Sequence, residues 1–295
     1  MKTTKKEDDE TIDRLLKDAL SDPQTVKSLR GDFANTYQCA GLGRKASIDL
    51  AAAVLAIMGE GVSLDAREAA VNDLFKRTRV GDSDLRSAFR TKVAGRTKLI
   101  YEQVSPHLAG IDGLVVDYGC GNGDVADRLL KQGGFSMVGY DVVLYPAPGV
   151  TVTMYEFDGD NLFVHDGYFE AGLLTNVLHH EPDNERIIVE LTRKVRRRLV
   201  IIETVPVGKT PEEIRRNRKR VFGNDWHYNR AIEYGAGIRV PATYERADSP
   251  DVPDPYSPGW PARFRKHGWR MKTSINLGID QEAIADVHHL YVFER

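Results

Sequence analysis

Cysteine is scarce: Cys39 and Cys120 are the only two in 295 residues. No disulfide framework can staple the fold, and a reducing, cytoplasmic compartment is the expectation. Net charge is scarce too, with 41 Lys plus Arg against 43 Asp plus Glu, a balance of −2. Such a chain has no global field for gripping a polyanion, so nucleic acid is not an expected partner. Long apolar runs are missing. The longest, Ala46 to Met58, is interrupted by Asp49 and falls short of the roughly 20 residues of a membrane span. It reads as a core helix, and no membrane association is expected. No charged-then-apolar leader opens the sequence, and no internal repeat is present. With 41% hydrophobic and 28% charged residues, the composition is that of a soluble globular chain holding one large domain or one domain plus a lobe. A homodimer is compatible with it.

From Thr11 to about Val104 apolar residues recur at three and four positions, as in Ile12, Leu15, Leu16, Ala19 and Leu20, which predicts an all-helical lobe over residues 1–95. The character changes at Leu114, where LVVDYG is a short β-branched run ending at glycines. Strands are expected there, at SMVGYD ending in Asp141, near Val150 to Phe157, at Ala171 to Thr175 and from Leu199, with two more around Trp269 to Ile275 and His288 to Phe293. Helical patterns intervene, one carrying Ile187, Ile188, Leu191 and Val195 on one face. Strands alternating with helices predict an α/β fold over 96–295, a Rossmann-like doubly wound sheet. Residues 206–262 interrupt the alternation. Thr210, Pro211 and Glu213 open a helix there with a capping box, and the proline-rich segment reads as an insertion capping a pocket.

DYGCGNG, Asp117 to Gly123, sits where the first strand hands over to a helix, a placement that lets the backbone approach a nucleotide closely. A dinucleotide fold seats its diphosphate with G-x-G-x-x-G, but the third glycine position is Asp124 here. Carboxylates at Asp117 and Asp124 repel phosphate and attract a cation, an effect of roughly 4 kcal/mol per charge pair at close range and an effective dielectric near 20. The expected ligand is an adenosine bearing positive charge. S-adenosylmethionine fits.

At these residues the sequence resembles the class I S-adenosylmethionine-dependent methyltransferases, over about Arg96 to Val205 plus the two tail strands. VVDYGCGNG is similar to the family's first motif, GYD to its second, EFDGD around Asp158 to its third and LLTNVLHH to its fourth. The resemblance implies a mixed seven-stranded sheet. It also implies contacts from Asp117, Gly119 and Gly121 to the methionine portion, from Asp141 to both ribose hydroxyls, and from Asp158 to the adenine amine, flanked by Gly159 or Asp160. Tyr118 departs from the small or aliphatic residue of many members and would narrow the methionine end.

Asn176, His179 and His180 follow the fourth strand, at the carboxyl edge where such sheets place ligands. A histidine there suits general-base removal of a proton from a hydroxyl or amine. Equally, it serves to hydrogen-bond the start of the next helix. Adjacent histidines diverge and no zinc spacing accompanies them, so no metal is expected. In the insertion, DWHYNR and a nearby tyrosine supply Trp226, Tyr228, Asn229, Arg230 and Tyr244 as substrate-binding candidates, the aromatic ones able to attract a cation by about 0.5 to 2 kcal/mol. Ordinary packing is the competing reading. Of two basic runs, RKVRRR at Arg193 to Arg198 reads as a solvated helix end. RRNRKR at Arg215 to Arg220 reads as a soluble face or a steering patch for an acidic substrate.

The leading expectation is methyl transfer from S-adenosylmethionine to a small molecule by in-line displacement. A second keeps the cofactor and cyclises it to azetidine-2-carboxylate with release of methylthioadenosine. A third is a non-catalytic ligand-binding protein. An NAD-linked oxidoreductase is disfavoured by Asp124.

Overall fold

The computed structural model describes residues 5–181, 183–205, 207–236, 259–281 and 286–295. The chain divides into two compact units. One comprises Met1–Ala94, Pro206–Asp248 and Ile279–Val287; the other comprises Gly95–Val205, Ser249–Gly278 and His288–Arg295.

The first unit contains α1 (Lys5–Ser21), α2 (Pro23–Cys39), α3 (Arg44–Met58) and α4 (Leu64–Arg77), followed by a small hairpin of β1 (Arg79–Val80) and β2 (Ser83–Asp84). The lobe is therefore not all helical. Asp22 caps α2 by accepting from the Gln24 and Thr25 N–H groups, with Pro23 at the first helical position. Ser63 caps α4 through Ala66 N–H. Such side-chain oxygens satisfy donors that have no partner within the helix.

The first part of the insertion is one long helix, α8 (Pro211–Ala236). Thr210 accepts from Glu213 N–H at 3.2 Å, and the Glu213 carboxylate reaches back to Lys209 N–H at 2.6 Å, one residue before the reciprocal bond of a standard capping box. This helix packs on α1, α2 and α4. It adds Phe222, Trp226, Ala231 and Tyr234 to a core built from Leu16, Phe33, Tyr37, Val54 and Phe75. The expected cap over 206–262 is thus, over 211–236, a core helix of the helical unit. Residues 259–262 begin a helix of the other unit, Gly259–Lys266, and the stretch between, with Tyr244, lies outside the described residues.

The second unit is a seven-stranded sheet. In chain order it has β3 (Val115–Tyr118), α6 (Asp124–Gly133), β4 (Met137–Asp141), β5 (Thr153–Glu156), β6 (Phe169–Thr175), α7 (Asn184–Lys194), β7 (Val195–Thr204), α9 (Gly259–Lys266), β8 (Arg270–Gly278) and β9 (His288–Glu294), while α5 (Leu85–Leu108) begins in the first unit. The spatial order is β5-β4-β3-β6-β7-β9-β8, with the first five strands parallel and β9 antiparallel to both β7 and β8. β3, β4 and most of β6 and β7 are buried, which explains their continuous apolar runs. One face packs Val115, Ala171, Leu173 and Val200 with Ile100, Val104 and Leu129. The other packs Val116, Tyr118, Leu174 and Ile201 with Ile188, Leu191 and Phe264.

The basic run at Arg193 to Arg198 ends a helix only in part: Arg193 and Lys194 close α7, and Arg196 to Arg198 belong to the next strand. α7 stops at Lys194 and β7 begins at Val195. Arg196 pairs with Glu170 and Arg198 with Glu294, so the arginines lie along the strand's amino end.

Candidate active site

The carboxyl ends of β3, β4 and β6 bring together the loop Tyr118–Asp124, Asp141 and the turn Asn176–Glu181. The strand order reverses at β3, which has β4 on one side and β6 on the other. That switch point is where open α/β sheets leave a crevice.

Gly119, Gly121 and Gly123 all have positive φ, at 73°, 56° and 79°. At Gly119 the need for glycine is double, because a Cβ would also lie 2.6 Å from Val177 Cγ2. Five of the six loop amides from Gly119 to Asp124 are turned inward. Gly119 and Cys120 N–H both donate to Tyr140 C=O (2.8 and 3.1 Å), Gly121 N–H to Asp141 Oδ2 (2.6 Å), Gly123 N–H to Cys120 C=O (2.9 Å) and Asp124 N–H to Asn122 Oδ1 (3.2 Å). A phosphate nest requires free amides at these places.

Asp117 is 1% exposed, and its Oδ1 is a buried oxygen with no hydrogen-bond partner among the described residues. Burial first, and the Asp141 charge second, push its carboxyl up to about 7. The same burial and the two carboxylates drive the Cys120 thiol upward, out of the reactive range. Asp141 is equally buried, yet it accepts from Gly121 N–H and, through Oδ1, from Val142 N–H at 2.7 Å. Val143 N–H approaches Oδ1 as well, at 3.4 Å, so backbone donors engage both oxygens of this carboxylate. Asp124 accepts from Asn122 Nδ2 at 2.8 Å and is raised mainly by burial.

Asp158 lies after β5 and is well exposed. Its Oδ1 accepts from Asp160 N–H (2.8 Å) and Asn161 N–H (2.9 Å), and these bonds hold its carboxyl below the usual range. Gly159 follows with φ 85°. Tyr118 does not line the methionine end as expected. Its ring lies on the face opposite Asp117, in the core with Phe157, and its hydroxyl donates to Gly159 C=O at 2.8 Å.

Asn176 has φ 58°, and no other described non-glycine residue has positive φ. Asparagine tolerates this left-handed conformation better than most residues. The turn after it is held by Glu203, at the end of β7, which sequence reasoning missed although an acid closing the apolar run LVIIE was a visible signal. Glu203 is fully buried. It accepts from Val177 N–H (3.0 Å) and Leu178 N–H (2.7 Å), and its other oxygen bonds His179 Nδ1 at 2.5 Å. The ring of His180 lies 4.0 Å from that of His179. Burial, then the His179 and Arg96 charges, depress His180 well below the ordinary imidazole value. Glu181 also went unnoticed in the sequence. Burial lifts its carboxyl to about 7, opposed by Arg186 and reinforced by Asp160, Asp183 and Asp141.

The described substrate candidates of the insertion, Trp226, Tyr228, Asn229 and Arg230, belong to the helical unit. Trp226 is wholly enclosed in that core, with the Arg230 guanidinium 5.3 Å from its ring centre. Arg230, 1% exposed, pairs with Glu68 and with Glu233 at 3.0 Å. Asn229 is buried and Tyr228 half-buried. The intervening His227 stacks on Phe33 at 3.9 Å and hydrogen-bonds Tyr37 Oη at 2.7 Å, and burial brings it down to about 3. Helical packing thus accounts for Trp226 and Arg230, whose chemistry is consumed inside the core. In the second basic run Arg215, Arg216, Lys219 and Arg220 pair with Glu212, Asp22, Asp18 and Asp32. These four cations are thus engaged in charge pairs within the chain.

The sheet order and the loop at its switch point define the class I methyltransferase fold, Rossmann-like and doubly wound, with a final antiparallel strand. Residues 116–201, from β3 into β7, match the family described as "Methyltransferase domain", and the cofactor of such a domain is S-adenosylmethionine. No curated protein matches the chain. Among solved structures it is similar to magnesium protoporphyrin IX methyltransferase from Synechocystis PCC 6803, at 14% identity over 81% of this chain and 91% of that one, TM-score 0.43. It is also similar to geranyl diphosphate C-methyltransferase from Streptomyces coelicolor A3(2), at 15% identity over 72% and 84%, TM-score 0.44. A third is the [4+2]-cyclase SpnF, at 14% identity over 75% and 85%, TM-score 0.43. No described helix is long and apolar enough to cross a membrane.

The residues present fit S-adenosylmethionine. A buried carboxyl oxygen without a donor suits an ammonium, a second buried carboxylate, Asp141, stands at the end of the next strand, and two acids beside the glycine loop disfavour a diphosphate.

Proposed function

We propose that this protein is an S-adenosylmethionine-dependent methyltransferase acting on a small-molecule acceptor. The observation that carries the reading is the orphaned Asp117 Oδ1, buried beside a loop in which the Gly119, Cys120, Gly121, Gly123 and Asp124 amides bond the protein itself. Bound S-adenosylmethionine supplies an electrophilic methyl group on sulfur. Asp117 accepts from the ammonium, Asp141 from the ribose hydroxyls, and Asp158 from the adenine amine. Together they fix the nucleoside, and in-line alignment and exclusion of water then account for much of the acceleration. The turn Asn176–His180 stands at the same strand ends. His180, in that turn, is kept neutral but weakly basic by its burial, so alignment rather than proton removal carries the reaction.

Calorimetry tests the binding half: S-adenosylhomocysteine is held and NAD is ignored. Mass spectrometry tests the chemistry. S-adenosylhomocysteine formed only when an acceptor is added supports methyl transfer, whereas methylthioadenosine formed from the cofactor alone replaces it with cyclisation. Tight binding with no turnover over a broad acceptor panel replaces both with a non-catalytic role.

A further inference from the structure

Asp158 is bracketed by a single buried side chain. Tyr118, the last residue of β3, is 2% exposed. Its ring meets Phe157 edge-on, with centroids 5.1 Å apart and planes at 78°, and its hydroxyl donates to the Gly159 carbonyl at 2.8 Å. One phenol therefore touches the residue before Asp158 and the residue after it. Phe157 is itself tied to β4, its N–H donating to Asp141 C=O at 3.0 Å. Gly159 stands at φ 85°, where an added Cβ would meet Val142 Cγ1 at 3.2 Å. The backbone is thus held in a conformation that few residues adopt. The loop is braced further on by Arg186 to Asp160 and by Leu162 N–H to Glu190 at 2.9 Å.

A buried phenol must place its O–H on an acceptor, and burial, with the nearby Glu181 and Asp160 charges, raises Tyr118 far above its ordinary value, so it remains a donor. Without that bond the Gly159 carbonyl loses its donor and the left-handed turn loses its anchor to the sheet. The carboxylate of Asp158 is aimed by the turn itself, through the Asp160 and Asn161 N–H groups. An error in the turn becomes an error in where Asp158 points.

We infer that Tyr118 is a positioning residue that sets the purine-reading edge of the site, holding the 157–159 backbone so that the protein discriminates an amino-purine from an oxo-purine. The inference rests on the proposed S-adenosylmethionine site. A well-placed carboxylate gains from the exocyclic amine of adenine and is repelled by the carbonyl of hypoxanthine. A loosened one loses both effects, so affinity for the two bases converges.

The test is calorimetric titration of wild type and Tyr118→Phe with S-adenosylhomocysteine and S-inosylhomocysteine, with thermal unfolding recorded alongside. Phenylalanine keeps the ring on Phe157 and deletes only the hydroxyl. The expected result is a preference for the adenosyl ligand in wild type that shrinks about fivefold in the variant, the worth of one net hydrogen bond. A purely structural role would lower the unfolding midpoint and leave the ratio of affinities unchanged, and that outcome overturns the inference. Should Tyr118→Phe not fold, Phe157→Leu, which removes the ring partner, is expected to compress the same ratio, and an unchanged ratio there overturns it equally. Wild type that binds neither ligand removes the cofactor reading itself, a failure visible before any variant is compared.

Discussion

Glu203 Oε2 lies 2.5 Å from His179 Nδ1, at the bottom of the turn that follows β6. The other oxygen of the same carboxyl accepts from Val177 and Leu178 N–H, so three donors from three consecutive residues converge on one fully buried side chain. These bonds fix the ring orientation of His179 and the backbone that carries Asn176 in its left-handed conformation. Glu203→Leu leaves three buried donors unsatisfied, each carrying a desolvation cost of about 1–3 kcal/mol. We expect this substitution to lower unfolding free energy by several kcal/mol, and Glu203→Gln, which keeps an acceptor, to lower it much less. Urea denaturation of the two variants checks the order, and equal losses would show that the convergence contributes little.

Asp117 predicts a pH dependence with a definite sign. Its carboxyl is raised to about 7 in the folded chain, above the 3.8 of the unfolded chain, so the native state binds the extra proton. The ligand-free protein therefore loses stability from this group as pH climbs from near 4 to near 7. Ligand binding runs the other way. The ionised carboxylate is the form that holds an ammonium, so affinity for S-adenosylhomocysteine rises as pH passes through about 7. Asp117→Asn is expected to flatten both slopes and to weaken binding by about thirtyfold at pH 8. Calorimetry between pH 6 and 8 reads the effect, and a variant with an undiminished slope assigns it to another group.

Gly119 predicts a coupled pair. Gly119→Ala forces a side chain onto φ 73° and drives its Cβ against Val177. The expected cost is about 1–3 kcal/mol for the backbone conformation, plus the contact. Adding Val177→Ala relieves the contact but not the conformation, so the double variant should be more stable than the sum of the singles. Strict additivity in thermal unfolding would mean that the two residues do not meet.

The legible parts of this protein are those whose signal is local. β3, β4 and β6 are short β-branched or apolar runs, and the acids Asp117 and Asp141 stand at or beside the ends of the first two. β7 was read too short because Arg196, Arg197 and Arg198 look like a helix end. Their partners Glu170 and Glu294 are far off in sequence, and only the sheet brings them close. Glu203 escaped notice for the same reason, since His179 is 24 residues away. Tyr118 was aimed at the methionine end although the alternation of a strand already puts it opposite Asp117. The helical period of α8 was clear, but a period says which face is apolar and nothing about what covers it. Trp226 and Arg230 therefore looked like recognition residues until α1, α2 and α4 were placed against them.

Trp226 supplies the last prediction. Its indole is 0% exposed in the helical core, and Nε1 has no hydrogen-bond partner among the described residues. The side chain contributes through packing and through the Arg230 guanidinium over its ring. Trp226→Ala is expected to cost about 3–5 kcal/mol, the usual range for emptying a large aromatic site. Trp226→Phe, which keeps most of the apolar volume and abandons an N–H that nothing satisfies, should cost markedly less. Under conditions where both variants remain folded, their affinity for S-adenosylhomocysteine should match wild type, because the indole is spent inside the helical core. Denaturant titration with parallel calorimetry separates the two roles. A stability near wild type combined with a selective loss of ligand or acceptor affinity would return Trp226 to the binding surface, and would require the helical core to open when substrate arrives.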